Sequence, residues 1–403
     1  MNTSEKRLKI ILIVASIFLT LIGGEVILRV ISTTDIDGNI SITDRRIRPF
    51  QFPIKSLEKK LEYYQKQETS YTHYDPDIGW TVRPNSQSAN GLYYSNSAGI
   101  RTSSTRQETL LHPSNGTLRI AIFGDSFTHG DDVPYEESWG AILEETMKMQ
   151  GRKVEVMNLG GQGYAIDQAF LRWRKHGKSL QPHLVIFGFQ NSNVKRGMNL
   201  IRLLYSPDTG IIFSKPRFIL RDEKLHLINV PTAKPEDLIP IFKNFRNWEF
   251  KNHEFFYQQA NYENSPLYWS RLGSFIITGI SVKFSPRRKG YDFFDKDSIS
   301  RKVVWQIIHE FKREVEDAGG RFVIVHLPTK KPIKRLQNGR DLKYQNLLEQ
   351  LQATYELIDP SPSMIRHADQ YSPEELFADR SSHYSKVGNR IVAETIANAL
   401  LMP

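Results

Sequence analysis

From Leu118 to the carboxyl terminus, short apolar runs alternate with longer stretches of helical spacing, and this rhythm constrains the fold more than any other feature. "LRIAIFG" (118–124), "VEVMNLG" (154–160) and "VIFGF" (185–189) read as strands, being short, apolar and rich in β-branched residues. Between them, "ESWGAILEETMKMQ" sets Trp139, Ile142, Leu143 and Met147 at helical spacing, and "AIDQAFLRWRKHGKSL" reads as a second helix. Downstream come helix "KVVWQIIHEFKREVEDAGG", strand "RFVIVHLP", helix "LKYQNLLEQLQATY", a short "ELIDP" and a last helix "SKVGNRIVAETIANALL". Gly319 and Gly320 supply the helix stop before "RFVIVHLP". Strands alternating with helices predict an α/β fold, a parallel sheet with helices on both faces.

The rhythm fails between about 195 and 300, where prolines and aromatics gather without strand–helix alternation. This reads as a large insertion over the carboxyl end of the sheet, where open α/β folds bind their ligands. Its Trp248, Tyr257, Tyr268 and Trp269 fit a small aromatic core, with a sugar-stacking platform as the sharper alternative. Residues 33–116 read as a membrane-proximal stalk with ordered loops, helical only at "SLEKKLEYYQKQ" (56–67). The division expected is therefore 1–32, 33–116 and 117–403.

At the amino terminus, Lys6, Arg7 and Lys9 precede an apolar run from Ile10 to Gly24, and apolar character resumes after Glu25. Basic residues before a long apolar stretch predict an uncleaved signal anchor, a single transmembrane helix with the rest of the chain extracytoplasmic, the alternatives being a cleaved signal peptide and a buried core helix. The chain carries 54 Lys and Arg against 44 Asp and Glu, a net charge of +10 that suits an anionic partner such as a membrane surface or acidic glycan. It has no cysteine, which excludes disulfides, thiolate metal sites and a cysteine nucleophile.

Chemistry gathers at the strand ends. Gly124, Asp125 and Ser126 close the first strand and open a helix, where free N–H groups favour developing negative charge, although a serine there also serves as a plain cap. The second strand ends in "NLGGQGY", in which the N–H of Gly163 can approach a ligand closely. After the third strand, "FGFQNSNVKR" offers Asn191 and Asn193 as amide donors. Before the last helix, "FADRSSHYSKVGN" supplies His383 as a base and Asp379 as its orienting carboxylate, the pair a serine nucleophile requires.

These four blocks, in this order, resemble the SGNH (GDSL) hydrolases, and "DIGWTVRPN" and "NSAGIR" resemble the pre-domain loops of their membrane-anchored bacterial members. The resemblance covers about 118–401 without the insertion. It implies a flavodoxin-like three-layer α/β/α fold and a serine esterase. Ser126 stands as nucleophile, His383 as base and Asp379 as the acid, with an oxyanion hole from Ser126, Gly163 and Asn193, or Asn191 in its place. Three residues separate Asp379 from His383 where the family has two, so a Ser–His dyad is an open alternative. The implied substrate is an acylated cell-surface polysaccharide or lipid, the alternatives being an O-acetyltransferase with the same residues and a non-catalytic glycan-binding protein.

No cofactor, metal or nucleic acid is expected. His129, His176, His183, His309 and His326 lack paired metal spacing and read as packing or surface residues, with His326 near enough the strand end to line a pocket. The glycines at 160–163 lack G-x-G-x-x-G spacing. The basic stretch "TKKPIKRLQNGR" (329–340) reads as a solvated loop.

Overall fold

The computed structural model describes residues 3–66, 70–105, 107–110, 112–284, 291–379 and 382–401. The chain divides into two compact units, one formed by 1–61 with 239–291 and the other by 62–238 with 292–403.

In the first unit, helix α1 (Thr3–Ile31) leads into strands β1 (Ser32–Thr34), β2 (Ile40–Ile42) and β3 (Arg45–Ile47), a small antiparallel sheet. The segment Ser4–Ile31 is long and apolar enough to cross a membrane, and its side chains are exposed. At 1.5 Å per residue α1 is about 43 Å long, more than a hydrocarbon core of about 30 Å. After β3 come α2 (Ile54–Lys66), which realises the helix expected from 56 onward, its last expected residue lying outside the described ones. Phe52, just before α2, stacks on Phe242, Phe245, Tyr257 and Tyr262 at centroid separations of 4.3 to 6.0 Å. Tyr257 is thus part of an aromatic core, whereas Trp269 stays exposed.

The second unit opens with the hairpin β4 (Thr72–Asp75) and β5 (Gly79–Val82) and the short strands β6 (Tyr94–Ser95) and β7 (Arg101–Thr102). Its core path is β8 (Leu118–Gly124), α3 (Ser126–His129), α4 (Trp139–Met149), β9 (Val154–Asn158), α5 (Ile166–Arg172), β10 (Leu184–Phe189), α6 (Ser192–Arg196) and α7 (Arg202–Tyr205). A hairpin β11 (Arg217–Arg221) and β12 (Lys224–Ile228) follows. The chain then returns to the first unit for α8 (Leu238–Lys243), α9 (Gln259–Tyr262) and α10 (Arg271–Phe284). The chain ends with α11 (Ile299–Asp317), β13 (Arg321–His326), α12 (Lys330–Gln337), α13 (Gln345–Thr354), β14 (Leu357–Ile358), α14 (Ser361–Gln370) and α15 (Lys386–Leu401).

The sheet runs β14-β13-β10-β8-β9-β7-β6, and its first five strands are parallel. Counted along the chain those five have the order 2-1-3-4-5, the flavodoxin-like topology. Alternate residues of each strand face opposite layers. Ile120, Ile122, Val156, Ile186, Val323 and Val325 pack with Trp139, Leu143 and Met147 of α4 and Val392 and Ile396 of α15. On the other face Phe123 and Phe187 meet Phe311 of α11, and Phe123 meets Trp173 beyond α5. Burial on both faces explains why "LRIAIFG" is apolar at nearly every position.

Two features depart from expectation. Strands β6 and β7, in the stretch read as loops, extend the sheet antiparallel beyond β9, Arg101 pairing with Asn158. The basic stretch at 329–340 forms α12, because Pro332 sits in its first turn and Ile333 buries an apolar foothold while Lys334 pairs with Glu374 at 2.6 Å.

Candidate active site

In this topology the switch point lies at the carboxyl ends of β8 and β10, and Ser126 follows directly on β8. Gly124 allows the chain to turn there, since a methyl group on it would lie 2.9 Å from the Gly188 carbonyl oxygen of β10 and would also strike Thr128. Asp125 caps α3: its Oδ1 accepts the Phe127 N–H at 3.0 Å, and its backbone carbonyl accepts those of Thr128 and His129. Its Oδ2 accepts Arg196 Nη1 at 2.8 Å and Asn193 Nδ2 at 3.2 Å, tying the serine turn to α6. Ser126 is buried.

His383 Nε2 lies 2.8 Å from Ser126 Oγ. The loop carrying it is closed by a bridge between Phe377 and Tyr384, with the Ala378 N–H donating to the His383 carbonyl at 2.9 Å. The Phe127 ring, 5.0 Å from the imidazole centroid, braces it.

The carboxylate on the far side of His383 is Asp132, whose Oδ2 is 2.6 Å from Nδ1. This corrects the expectation for Asp379. Asp132 takes the Nδ1 side of the ring, and Asp379 is exposed in the loop closed by the Phe377–Tyr384 bridge. Gly130 ends α3 in the left-handed region (φ 80°), and the chain then doubles back toward the serine. Buried Arg101 holds that turn, donating through Nη1 to the carbonyls of His129 and Gly130 and through Nη2 to that of Val133 at 2.7 Å. The Asp132 N–H donates to the Tyr93 hydroxyl at 2.9 Å. Sequence reasoning missed Asp132; the available signal was a pair of carboxylates within six residues of the serine on the same loop.

Ser126 N–H, in the first turn of α3, and Gly163 N–H meet no protein acceptor among the described residues. Gly163 adopts φ 69°, and its neighbours are pinned: the Gln162 carbonyl accepts Trp80 Nε1 at 2.8 Å, and the Tyr164 carbonyl accepts Arg196 Nη1 at 3.1 Å. Asn193 is placed differently from the expectation. Its amide hydrogens go to Asp125 Oδ2 at 3.2 Å and the Tyr164 carbonyl at 3.3 Å, and its Oδ1 accepts the Gln190 N–H at 2.7 Å. The Asn193 amide thus faces two protein acceptors. The half-buried Asn191 side chain makes no hydrogen bond to a described residue, and of the two asparagines it retains its donors.

The other histidines near the sheet edge are structural. His129 is fully buried, with Nδ1 2.6 Å from Asp131 and Nε2 2.9 Å from the Tyr71 hydroxyl. Burial, aided by Arg101, pulls its pKa down to about 4, so the neutral ring donates from Nδ1 to Asp131 and accepts from Tyr71. His326 is likewise buried, held by Asp359 at 2.8 Å and the Tyr344 hydroxyl at 3.0 Å.

No protein-family model matches the chain, and no curated protein does. Solved structures similar to it include a member of the lipolytic protein G-D-S-L family from Veillonella parvula (14% identity, 71% of this chain and 99% of that one, TM-score 0.36). A lipase/acylhydrolase from Enterococcus faecalis (14%, 70% and 94%, TM-score 0.35) is also similar. So is an acetylxylan esterase from Geobacillus stearothermophilus (10%, 71% and 94%, TM-score 0.37).

Proposed function

We propose that this chain is a membrane-anchored serine esterase of the SGNH type, acting through an acyl-serine. The observation that carries the reading is the continuous line Ser126 Oγ, His383 Nε2, His383 Nδ1, Asp132 Oδ2, with contacts of 2.8 and 2.6 Å. His383 takes the proton of Ser126 as Oγ attacks the ester carbonyl. Asp132 holds the ring in the tautomer with its hydrogen on Nδ1 and stabilises the imidazolium that forms. The oxyanion is received by the N–H groups of Ser126 and Gly163, with the Asn191 amide as third donor. His383 returns the proton to the leaving alkoxide, and a water, activated by the same imidazole, releases the acid.

The substrate is an acyl ester, of acetyl size by preference, on a cell-surface polysaccharide or glycolipid. Three features support this: the apolar run of α1 from Ile10, which follows Lys6, Arg7 and Lys9 in the same helix, the net positive charge, and the sequence blocks around the site. The domain then faces the extracytoplasmic side.

The test is hydrolysis of 4-nitrophenyl acetate by the full chain in detergent micelles, with labelling by a fluorophosphonate. Ser126→Ala is expected to lose both, turnover falling by about a thousandfold or more. Turnover and labelling that survive this substitution would overturn the reading.

A further inference from the structure

Beside the serine turn lies a cation without a counter-ion. Arg202, on α7, is only 9% exposed, its Nε is buried without a partner, and its guanidinium forms no ion pair or hydrogen bond with any described residue. It stacks on the Tyr205 ring, 5.1 Å from the centroid. A methyl group on Gly163 would lie 3.5 Å from its Nη2, so the guanidinium adjoins the glycine assigned to the oxyanion hole. The neighbouring charges do not balance it. The nearby carboxylate, Asp125, is matched by Arg196 at 2.8 Å and accepts Asn193 and Phe127 besides. Burial and the Arg196 charge draw the Arg202 pKa down to about 10, which leaves it charged at neutral pH. A buried guanidinium is normally paired, since an unpaired buried charge costs folding free energy.

Building on the esterase reading, we propose that Arg202 is the anion-binding group of a substrate subsite, receiving a carboxylate or phosphate on the acylated sugar. The planar fork of the guanidinium suits two-point recognition of either oxyanion group. An anionic glycan thereby supplies the charge the fold omits, and binding orients the ester over Ser126.

The test titrates galacturonate, glucose 1-phosphate and galactose against the full chain in micelles, followed by thermal shift, for the wild type, Ser126→Ala, Arg202→Met and Arg202→Lys. Saturable stabilisation by an anionic sugar but not by galactose is expected in the wild type and in Ser126→Ala. It should vanish in Arg202→Met and weaken about tenfold in Arg202→Lys, and the galacturonate and phosphate arms identify which oxyanion fits. Equal responses to galactose and the anionic sugars, or an undiminished response in folded Arg202→Met, overturns the proposal. Because binding is read without turnover, an anion response in a chain that cleaves no ester removes the esterase reading and leaves this one standing.

A separate observation concerns α10, whose amphipathicity is reversed. Ser274 and Thr278 are buried, Thr278 Oγ1 accepting the Arg48 N–H at 2.9 Å, while Phe275, Ile276 and Ile280 are exposed on the opposite face. Trp269, just before α10, is 77% exposed. A helix in water turns its apolar stripe inward; one in lipid has no need to. The start of α10 is fixed to α1: Glu25 accepts the Ser270 hydroxyl at 2.7 Å and the N–H groups of Arg271 at 3.0 Å and Leu272 at 2.9 Å. Arg29 joins them, donating to Glu25 at 2.6 Å and to the Trp269 carbonyl at 3.1 Å.

We infer that the Phe275, Ile276 and Ile280 face of α10 lies in the lipid bilayer alongside α1, with Trp269 at headgroup level. The absence of native cysteines allows single spin labels at Ile276→Cys, Ile280→Cys, Leu19→Cys in α1 and Gln259→Cys as an exposed polar control, in phosphatidylethanolamine and phosphatidylglycerol nanodiscs. Collision with oxygen should exceed collision with a water-soluble nickel complex at 19, 276 and 280, and the reverse should hold at 259. Labels at 276 and 280 that behave like 259 while 19 behaves as lipid-exposed overturn the inference. Water-like behaviour at 19 as well removes the anchor together with it.

Discussion

Replacing Asp132 by asparagine separates the carboxylate assigned by geometry from the one suggested by spacing. Asp132 Oδ2 stands 2.6 Å from His383 Nδ1, and in the proposed mechanism it compensates the positive charge the ring gains when Ser126 is deprotonated. Two unit charges about 4 Å apart attract by about 4 kcal/mol at an effective dielectric of about 20, and about half that where water enters. Asp132 is 41% exposed, so about 2 to 4 kcal/mol of transition-state stabilisation is at stake, or about 30- to 1,000-fold in kcat. Asparagine is also able to present its amide N–H₂ to the ring and favour the wrong tautomer, which pushes the loss toward the upper end.

The assay is steady-state hydrolysis of 4-nitrophenyl acetate by the full chain in micelles, with thermal melts on every variant. Asp132→Asn should lower kcat by about 30-fold or more, with KM and Tm little changed, because Asp132 makes no buried packing contribution. Asp379→Asn, altering an exposed loop carboxylate, should stay within about twofold of wild type. If Asp379→Asn costs a hundredfold while Asp132→Asn retains a third of the activity, the positioning argument is refuted. In that case the loop closed by the Phe377–Tyr384 bridge must bring Asp379 to the ring during turnover.

The two asparagines should separate along the same axes. Asn193→Ala leaves Gln190 N–H and Asp125 short of partners and should lower stability by about 1 to 3 kcal/mol in urea unfolding, whereas Asn191→Ala should spare stability and reduce kcat by about tenfold or more. Gly163→Ala places a methyl 2.6 Å from Ile211 Cδ1 at a φ of 69°, and kcat should fall about tenfold or more with about 1 kcal/mol lost from folding; unchanged kcat would remove Gly163 from the oxyanion hole. His129 has a folded pKa of about 4 against an unfolded value near 6.5, so the unfolded chain binds more protons in that window. Stability from this site is therefore present above about pH 6.5 and lost as pH falls toward 4, by up to about 3 kcal/mol. The slope of Tm against pH between 6.5 and 4.5 should flatten in His129→Phe, even though that variant is less stable throughout.

What could be read in the sequence, and what could not, follows from how local each determinant is. Four of the five parallel strands were legible because burial on two faces writes apolar residues at almost every position, as in Ile120, Ala121, Ile122 and Phe123, whereas the two-residue β14 is too short to leave such a run. The place of Ser126 at the strand end was legible because that turn is local, supplied by Gly124 and the Asp125 cap. His383 was legible from its place immediately before the last helix. By contrast, residues 33–61 join 239–291 in one unit through contacts such as Phe52 on Phe245, nearly two hundred positions apart, and no periodicity marks such a partnership.

The acid and the amide of the site fall in the same class as that distant pairing. An orienting carboxylate need only reach Nδ1, and many chain paths achieve that, so spacing from the histidine is a weak guide. Here the path runs through a left-handed turn at Gly130 and through Arg101, nearly thirty residues upstream, which fastens the carbonyls of 129, 130 and 133. Asn193 misleads for the converse reason. Its type and position suit a donor, but Asp125 and the Tyr164 carbonyl claim its hydrogens first, and what a polar side chain already binds is invisible until the fold is assembled. The same accounting points to Arg202: around this serine, the side chains with unspent hydrogen bonds and charge are the ones available to a substrate.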